Sequence, residues 1–199
     1  MPKSLPIYLV DDEATVLESM AFMLESYGYR VHTFESGQAF LDSVDLNSLG
    51  CVILDSRMPN MTGQDVQREM QAKGSTLSVI YLTGHGDIPM AVEALKSGAF
   101  DFFQKPVEAE TLMPAIELAM QKSMSHAQKG KEHQAMQSLT KREKEVLKLL
   151  VQGMKNQQMA ETLFVSVRTI EVHRSNIMKK LNVNNVAALI HRVGTLLED

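Results

Sequence analysis

Residues 7–12, Ile-Tyr-Leu-Val-Asp-Asp, join a short apolar run to two adjacent carboxylates. Three further apolar runs end on a residue that carries a carboxylate, a hydroxyl or an ammonium group: Asp55, Thr83 and Lys105. Such apolar runs predict strands of a parallel sheet that is buried on both faces. Because the carboxyl ends of these strands lie along one edge of the sheet, we expect the side chains to converge on one small site.

The first half of the chain alternates apolar runs with helical patterns. Strands are predicted at about 6–10, 30–34, 51–54, 78–82 and 100–104, and helices at about 14–27, 37–44, 64–73, 88–97 and 108–123. Five strands that alternate with five helices predict an α/β fold, a doubly wound parallel sheet with helices on both faces.

The second half is helical throughout. Helices are predicted at about 141–152, 156–163, 167–181 and 185–197. Thr140 and Glu143 have the spacing of a capping box, and Asn156, Ser166 and Asn184 are the predicted caps of the later helices. A short helix, a turn and a longer helix indicate a helix-turn-helix, so this half is expected to be all-α.

These patterns divide the chain into three segments. We expect an α/β domain at 1–122, a polar linker at 123–138 that could continue the fifth helix, and a helical domain at 139–199. Residues 1–122 hold 8 Lys and Arg against 17 Asp and Glu, whereas residues 123–199 hold 12 against 7. The basic half favours a nucleic-acid partner, although ordinary solvated charge is an alternative explanation.

Composition also limits the cellular setting. No apolar run approaches the roughly 18 residues that a membrane-spanning helix needs. The N-terminus lacks the pattern of a signal peptide, and Cys51 is the single cysteine. We therefore expect a cytoplasmic protein that makes no membrane contact.

The strand-end side chains suit a divalent cation and a phosphoryl group. Mg²⁺ prefers oxygen ligands, which the carboxylates of Asp12 and Asp55 and a loop carbonyl at Arg57 can supply. Aspartate is a known nucleophile in phosphoryl transfer. Lys105 can bind one phosphoryl oxygen, and the Thr83 hydroxyl can donate to another.

Residues 5–122 resemble the receiver domain of two-component response regulators, and in particular the FixJ-like subgroup. The resemblance rests on the motifs LVDDE (9–13), LDSRMPNMTG (54–63), LTGHGD (82–87) and FQKP (103–106). It implies that Asp55 is the phosphoacceptor and that Mg²⁺ is bound by Asp12, Asp55 and the Arg57 carbonyl. Asp11 would act on the metal through water.

The same resemblance implies a conformational switch. Thr83 and Lys105 would sense the phosphate, and Phe102 would be the aromatic switch residue, unless it is an ordinary apolar strand residue. Family receivers often have a cis bond before the proline, here Pro106. Phosphorylation would draw in Thr83, move the loop after it and repack Phe102. Dimerisation through the fourth helix, fifth strand and fifth helix would then pair two helical domains on a two-fold site.

The helix predicted at 167–181 has an apolar face and a polar face. The apolar stripe consists of Val167, Ile170, Ile177 and Leu181. The opposite face carries Arg168, Val172, Ser175 and Lys179, with Glu171 at its border. Val172 is either an ordinary exposed side chain or a contact with a thymine methyl group. The cations that can neutralise phosphates are Arg168, Arg174, Lys179 and Lys180.

Residues 139–197 resemble the LuxR-type DNA-binding domain, through LTKREKEVL (139–147) and RTIEVHRSNIMKKL (168–181). The resemblance implies that the helix at about 167–181 reads bases with Glu171, Val172 and Ser175. Glu171 departs from the family, in which lysine is common at this position. A carboxylate can accept a hydrogen bond from cytosine but repels phosphate.

Together the resemblances imply a phosphorylation-controlled transcription regulator rather than an enzyme. Its partners would be a sensor histidine kinase, duplex DNA and a second copy of the chain, with RNA polymerase as a further candidate. One alternative is a phosphatase that uses Asp55 as nucleophile, but Arg57 stands where that chemistry needs a second acid. The other is a protein-interaction regulator that does not bind DNA, which only Glu171 supports.

Overall fold

The computed structural model describes residues 4–84 and 88–197. The chain divides into two compact units, Met1–Ala127 and Gln128–Asp199. Within the described ranges, no helix is both long enough and apolar enough to cross a membrane.

The N-terminal unit is the predicted parallel sheet covered by helices. Its strands are β1 Pro6–Val10, β2 Arg30–Phe34, β3 Cys51–Asp55, β4 Ser78–Thr83 and β5 Asp101–Gln104. Its helices are α1 Ala14–Ser26, α2 Gly37–Ser43, α3 Gly63–Ala72, α4 Ile88–Lys96 and the first part of α5, Ala109–Gln137. The strand order is β2-β1-β3-β4-β5 and every pairing is parallel, which confirms the predicted fold class.

The two faces of the sheet form two separate apolar cores. Successive residues of β3 alternate between them, because Ile53 belongs to the core that contains α1 and α5, whereas Val52 and Leu54 belong to the opposite core. Every residue of β3 and β4 is buried. Full burial of one such aliphatic side chain contributes about 1.5–3 kcal/mol, so the central strands hold their carboxyl ends firmly side by side.

Helix α5 continues through the polar segment, one of the two possibilities that the sequence left open. It runs from Ala109 to Gln137 and therefore includes almost all of the predicted linker. Its first part is buried in the N-terminal unit, where Ser123 Oγ also accepts a hydrogen bond of 3.1 Å from Gly50 N. Ala135 and Met136 pack on the core of the C-terminal unit. These two sets of contacts could not be predicted from the sequence, because residues 123–138 are mostly polar.

The C-terminal unit contains α6 Lys141–Val151, α7 Asn156–Leu163, α8 Val167–Lys180 and α9 Val186–Leu197. One side chain or more from each helix is fully buried in a common core: Val146, Met159, Ile170, Ile177 and Leu189. The helix-turn-helix pair is α7 and α8. The structure thus confirms the predicted all-α architecture of this half.

The helix caps agree with the predictions in part. Thr140 and Glu143 form the expected capping box, and Ser166 Oγ accepts from Thr169 N at 3.1 Å. The Asn184 cap is wrong, because α9 begins one residue later and Asn185 Oδ1 accepts from Ala188 N at 2.8 Å. The Asn156 cap is also wrong: Asn156 is the first residue of α7 and Lys155 holds the cap position.

Candidate phosphorylation site and nucleic-acid interface

Three carboxylates meet at the carboxyl edge of the sheet. Asp11 and Asp12 follow β1, and Asp55 ends the neighbouring strand β3. One oxygen atom from each of the three lies within 4.8 Å of the other two. Asp11 and Asp55 are only 1% and 6% exposed, whereas Asp12 is exposed to solvent. This spacing of hard oxygen donors fits a single divalent cation, and Arg57 lies in the turn that follows β3.

Backbone N–H groups hold the two buried carboxylates. Glu13 N donates to Asp11 Oδ1 at 3.0 Å, and Arg57 N donates to Asp55 Oδ2 at 2.9 Å. In both cases the donor is two residues after the aspartate, as in the Asx turns that these side chains favour. The turn after each strand therefore fixes one oxygen of each carboxylate.

Lys105 joins the cluster from the loop after β5. Its Nζ lies 2.5 Å from Asp11 Oδ2 and 3.1 Å from Asp55 Oδ1. Its backbone N–H donates to the Thr83 carbonyl at 2.8 Å, which ties this loop to the end of β4. The bond between Lys105 and Pro106 is cis, as the resemblance implied. A single ammonium group thus bridges two buried carboxylates.

Burial and charge together set the protonation of this cluster. Burial raises the pKa of Asp55 above its ordinary value, and although Lys105 lowers it in part, the charge of Asp11 raises it again. Burial also lowers the pKa of Lys105, but its hydrogen bonds to Asp11 and Asp55 outweigh burial, so this pKa is raised. The cluster therefore holds a protonated lysine among more carboxylates than it can neutralise.

Thr83 lies at the end of β4 beside a residue that the sequence analysis did not single out. Ser56 Oγ donates a hydrogen bond of 2.9 Å to Thr83 Oγ1, and both residues are only 1% exposed. Ser56 directly follows Asp55 in the sequence. A polar residue in the turn after a predicted acidic residue was the signal that could have identified it as part of the site. Its side-chain direction in that turn could not be deduced from the alternation of β3.

Phe102 lies on β5 opposite Tyr81 of β4 and is half-buried against the core that contains α3 and α4. This is the position of an apolar strand residue, and the switch role that the resemblance implies stays a prediction. The loop expected to move after Thr83 includes residues 85–87, which lie outside the described residues.

Helix α8 presents the predicted apolar and polar faces. Ile170 and Ile177 are fully buried. Val172 is 48% exposed, and the other residues of the outward face are also accessible: Arg168, Glu171, Ser175 and Lys179. Arg168 Nη1 lies 3.3 Å from Glu171 Oε2, so the unusual carboxylate has a cation beside it within the helix.

Two of the predicted phosphate-binding cations have side-chain partners on other helices of the domain. Lys180 Nζ lies 2.7 Å from Glu143 Oε2 and donates to the Ser138 carbonyl at 3.1 Å. Arg174 donates to the side chain of Asn156 on α7. Lys180 therefore joins the end of α8 to the capping box of α6, and Arg174 joins α8 to α7. Both roles stabilise the helical unit itself.

Comparison with known families agrees with both halves of the chain. Residues 7–117 match the response regulator receiver domain, and residues 137–193 match the bacterial regulatory proteins of the luxR family. The response regulator protein TmoT of Ectopseudomonas mendocina is 46% identical over 97% of this chain and 89% of its own length. The transcriptional regulatory protein FixJ of Azorhizobium caulinodans is 39% identical over 96% of this chain and 92% of its own length.

Solved structures give the same result. The response regulator StyR superposes with a TM-score of 0.75 and 39% identity, over 96% of this chain and 98% of that one. Full-length FixJ from B. japonicum superposes with a TM-score of 0.61 and 38% identity, over 97% and 98%. Members of this class are transcription regulators, not enzymes, which excludes the phosphatase alternative. The chain belongs to the response regulators of two-component systems that join a receiver domain to a LuxR-type DNA-binding domain.

Proposed function

We propose that Asp55 accepts a phosphoryl group from a sensor histidine kinase and that this modification controls DNA binding by the C-terminal unit. The observation that carries the proposal is the convergence of Asp11, Asp12, Asp55 and Lys105 at one sheet edge. A carboxylate oxygen of Asp55 forms a bond to phosphorus while the bond from phosphorus to the kinase imidazole nitrogen breaks. The imidazole leaves with that electron pair and takes up a proton.

Each charged side chain has a separate task in this scheme. Asp12, Asp55 and the Arg57 carbonyl would hold Mg²⁺, with Asp11 acting through water, and the bound metal neutralises charge on the phosphoryl oxygens. Lys105 binds another phosphoryl oxygen, and its short contact with Asp11 keeps the ammonium at the site.

The phosphoacceptor is tested by incubating the full chain with Mg²⁺ and a small acyl phosphate, followed by peptide mass spectrometry. We expect one added phosphoryl group on Asp55, none in Asp55→Asn, and none in Asp12→Ala, which loses a metal ligand. The matched control is Asp42→Asn, which removes an exposed carboxylate from α2 and should be modified like the wild type. A phosphoryl group on Asp11, Asp12 or a serine would contradict the assignment.

We further propose that phosphorylation favours a homodimer through α4, β5 and α5. Apolar side chains of α4 and α5 are unusually accessible there: Val92, Leu95 and Leu118 are 44%, 46% and 53% exposed. Sedimentation of the full chain with and without beryllofluoride should show a shift to dimer that Leu118→Ser weakens. Identical monomer profiles in both states would exclude this interface.

For DNA, we propose that the outward face of α8 enters the major groove. Glu171, Val172 and Ser175 read bases, and Arg168 and Lys179 contact phosphates. Lys180 and Arg174 are left out of this set because their side-chain partners lie on other helices of the domain, α6 and α7. The regulator would act in the cytoplasm, with RNA polymerase as a further partner.

Selection of bound fragments from a random duplex library, followed by titrations, tests the base contacts. Val172→Ala should change the preference at one base position and cost about 1 kcal/mol there. Ile190→Ala is the matched control, because it removes a similarly exposed aliphatic side chain, 40% accessible, from α9. If both variants select the same sequences as the wild type, α8 does not read bases through Val172.

A further inference from the structure

The C-terminal end of α4 is closed by backbone hydrogen bonds. Gly98 N donates to the Leu95 carbonyl and Ala99 N donates to the Ala94 carbonyl, both at 3.0 Å, and Gly98 has a positive φ of 87°. These bonds and the left-handed glycine form the Schellman motif that commonly ends a helix. Ala94 and Ala99 are also buried in one core. The backbone path at the end of α4, which includes the Ser97 carbonyl, is therefore fixed.

Two glutamine side chains of α3 bind that carbonyl. Gln67 Nε2 donates to the Ser97 carbonyl at 2.9 Å, and Gln71 Nε2 donates to the same oxygen. The other end of the Gln67 amide, Oε1, accepts from the Tyr81 hydroxyl at 2.8 Å. Burial raises the pKa of Tyr81, so its hydroxyl keeps the proton that it donates. A chain of hydrogen bonds thus runs from β4 through α3 to the end of α4.

This chain uses both ends of the Gln67 amide. The Tyr81 hydroxyl needs an acceptor and the Ser97 carbonyl needs a donor, and an amide provides both in one side chain. Gln67 and Tyr81 are 4% and 0% exposed, so water cannot easily replace either partner. Methionine has a similar length but lacks the carbonyl and the N–H groups, so Gln67→Met removes both hydrogen bonds and preserves most of the packing.

The two ends of the chain lie beside the proposed phosphoacceptor strand and the proposed dimer interface. Tyr81 pairs in register with Leu54, the residue before Asp55, and with Phe102 on β5. At the other end, the accessible apolar side chains of α4, Val92 and Leu95, lie in the second half of that helix. Their position depends on where the end of α4 is held.

We propose that Gln67 is a positioning residue that anchors the C-terminal end of α4 and thereby places Val92 and Leu95 for contact with a second copy of the chain. The inference rests on the proposed homodimer through α4, β5 and α5. Because Gln67 acts through α4, its loss should weaken dimerisation and leave phosphorylation of Asp55 unchanged.

Sedimentation of the full chain with Mg²⁺ and beryllofluoride measures the dimer dissociation constant. We expect Gln67→Met to raise this constant roughly fivefold, the ratio for one net hydrogen bond. Hydrogen exchange of peptides from 91–99 should become faster, whereas labelling of Asp55 by a small acyl phosphate should not change. Gln64→Met is the matched control, because it removes an amide from the first turn of the same helix, and it should dimerise like the wild type.

A double variant separates positioning from general stability. Gln67→Met leaves the buried Tyr81 hydroxyl without its acceptor, so it should lower the urea midpoint of the N-terminal unit. Adding Tyr81→Phe removes that hydroxyl and should recover most of the midpoint, because no buried polar group is then left without a partner at this position. The dimer dissociation constant should stay raised, since the Ser97 carbonyl still lacks the Gln67 donor.

The outcomes distinguish this inference from the proposed homodimer. If the wild type dimerises with beryllofluoride and Gln67→Met dimerises equally strongly, the role of Gln67 is wrong. Recovery of both the urea midpoint and the dimer in the double variant would also overturn it, because Gln67 would then act through stability alone. A wild-type chain that stays monomeric would overturn the homodimer itself, and the role of Gln67 in it.

Discussion

Two buried carboxylates, one in each unit, have lysine partners, yet their pKa values shift in opposite directions. Burial raises the pKa of Asp55, which shares Lys105 with Asp11. In Glu143, by contrast, the hydrogen bond from Lys180 is the largest cause of a lowered pKa, helped by the Thr140 N–H at 2.8 Å. The separations are similar, 3.1 Å for Asp55 with Lys105 and 2.7 Å for Glu143 with Lys180.

The ratio of charges explains the difference. In the N-terminal unit, Lys105 contacts two of three clustered carboxylates, Asp11 and Asp55, so the described cluster has fewer positive than negative charges and favours binding of a cation. In the C-terminal unit, Glu143 has its own ammonium group and completes a capping box, so its charge is satisfied inside the domain. Clustered carboxylates with too few cations thus indicate a cation-binding site, whereas a carboxylate with its own cation indicates a structural ion pair.

The largest effect on stability should follow from breaking the ion pair between Lys180 and Glu143. Lys180→Met keeps the apolar stem but leaves the buried Glu143 carboxylate without its cation. We expect a loss of about 2 kcal/mol in the free energy of unfolding of the C-terminal unit. This is below the cost for a fully buried pair, because the Lys180 side chain is 34% exposed.

Hydrogen exchange of peptides from 139–197 measures this loss in the full chain. Lys144→Met is the matched control, because Lys144 is an exposed lysine of α6. It should change protection by less than about 0.5 kcal/mol. Equal protection in Lys180→Met and the wild type would show that the ion pair contributes no stability.

Removing a charge from the cluster of Asp11, Asp12 and Asp55 should instead raise the free energy of unfolding. Asp55→Asn eliminates a carboxylate whose burial disfavours the ionised form, and Lys105 retains Asp11 as a partner. Without divalent cations we expect the N-terminal unit to gain about 1 kcal/mol in stability. Asp42→Asn, on the exposed surface of α2, should leave it unchanged.

Tyrosine fluorescence during urea unfolding isolates this effect. The chain has 4 tyrosines and no tryptophan, and all four tyrosines lie within Met1–Ala127. Added Mg²⁺ should stabilise the wild type more than Asp55→Asn, since the variant has lost a proposed ligand. Destabilisation of the metal-free variant would contradict the charge argument.

The pH dependence sharpens the contrast. The pKa of Asp55 is raised above 3.8. Its contribution to the free energy of unfolding is therefore fully present below about pH 3.8 and is lost as the pH rises through the folded-state pKa. The advantage of Asp55→Asn should therefore grow between pH 4 and neutrality, to about 1 kcal/mol. The pKa of Glu143 is lowered below 4.5, so its contribution is present above about pH 4.5 and is lost as the pH falls through the folded-state value. Urea titrations followed by tyrosine fluorescence at several pH values check the sign for Asp55, and hydrogen exchange of peptides from 139–197 over the same pH range checks the sign for Glu143.

The sequence could predict the first cluster but not the second. Asp11, Asp55 and Lys105 each follow an apolar strand, and parallel pairing brings strand ends together whatever the details of packing. Lys180 and Glu143 are 37 residues apart on different helices, and no local pattern reports which side chains meet across a helical core. The sequence also left open whether α5 continues through 123–138, because polar residues that are only partly packed have the same composition as a linker.

The smallest effect on stability should come from Lys179, the neighbour of Lys180. Lys179 is exposed at the end of α8, and the proposed role is a phosphate contact. Lys179→Ala should therefore change the unfolding free energy by less than about 0.5 kcal/mol. It should weaken binding to specific and random duplexes alike and reduce the magnitude of the log–log salt slope by about one.

Lys180→Met should show the reverse behaviour, with lower stability and an unchanged salt slope at temperatures where the unit stays folded. Two adjacent lysines on one helix would then differ because one has its counter-charge inside the domain and the other finds it on DNA. Lys144→Ala on α6 controls for the general loss of positive charge. If Lys180→Met reduces the slope as much as Lys179→Ala does, the Glu143 ion pair opens on DNA, and the distinction between structural and DNA-binding lysines in α8 is wrong.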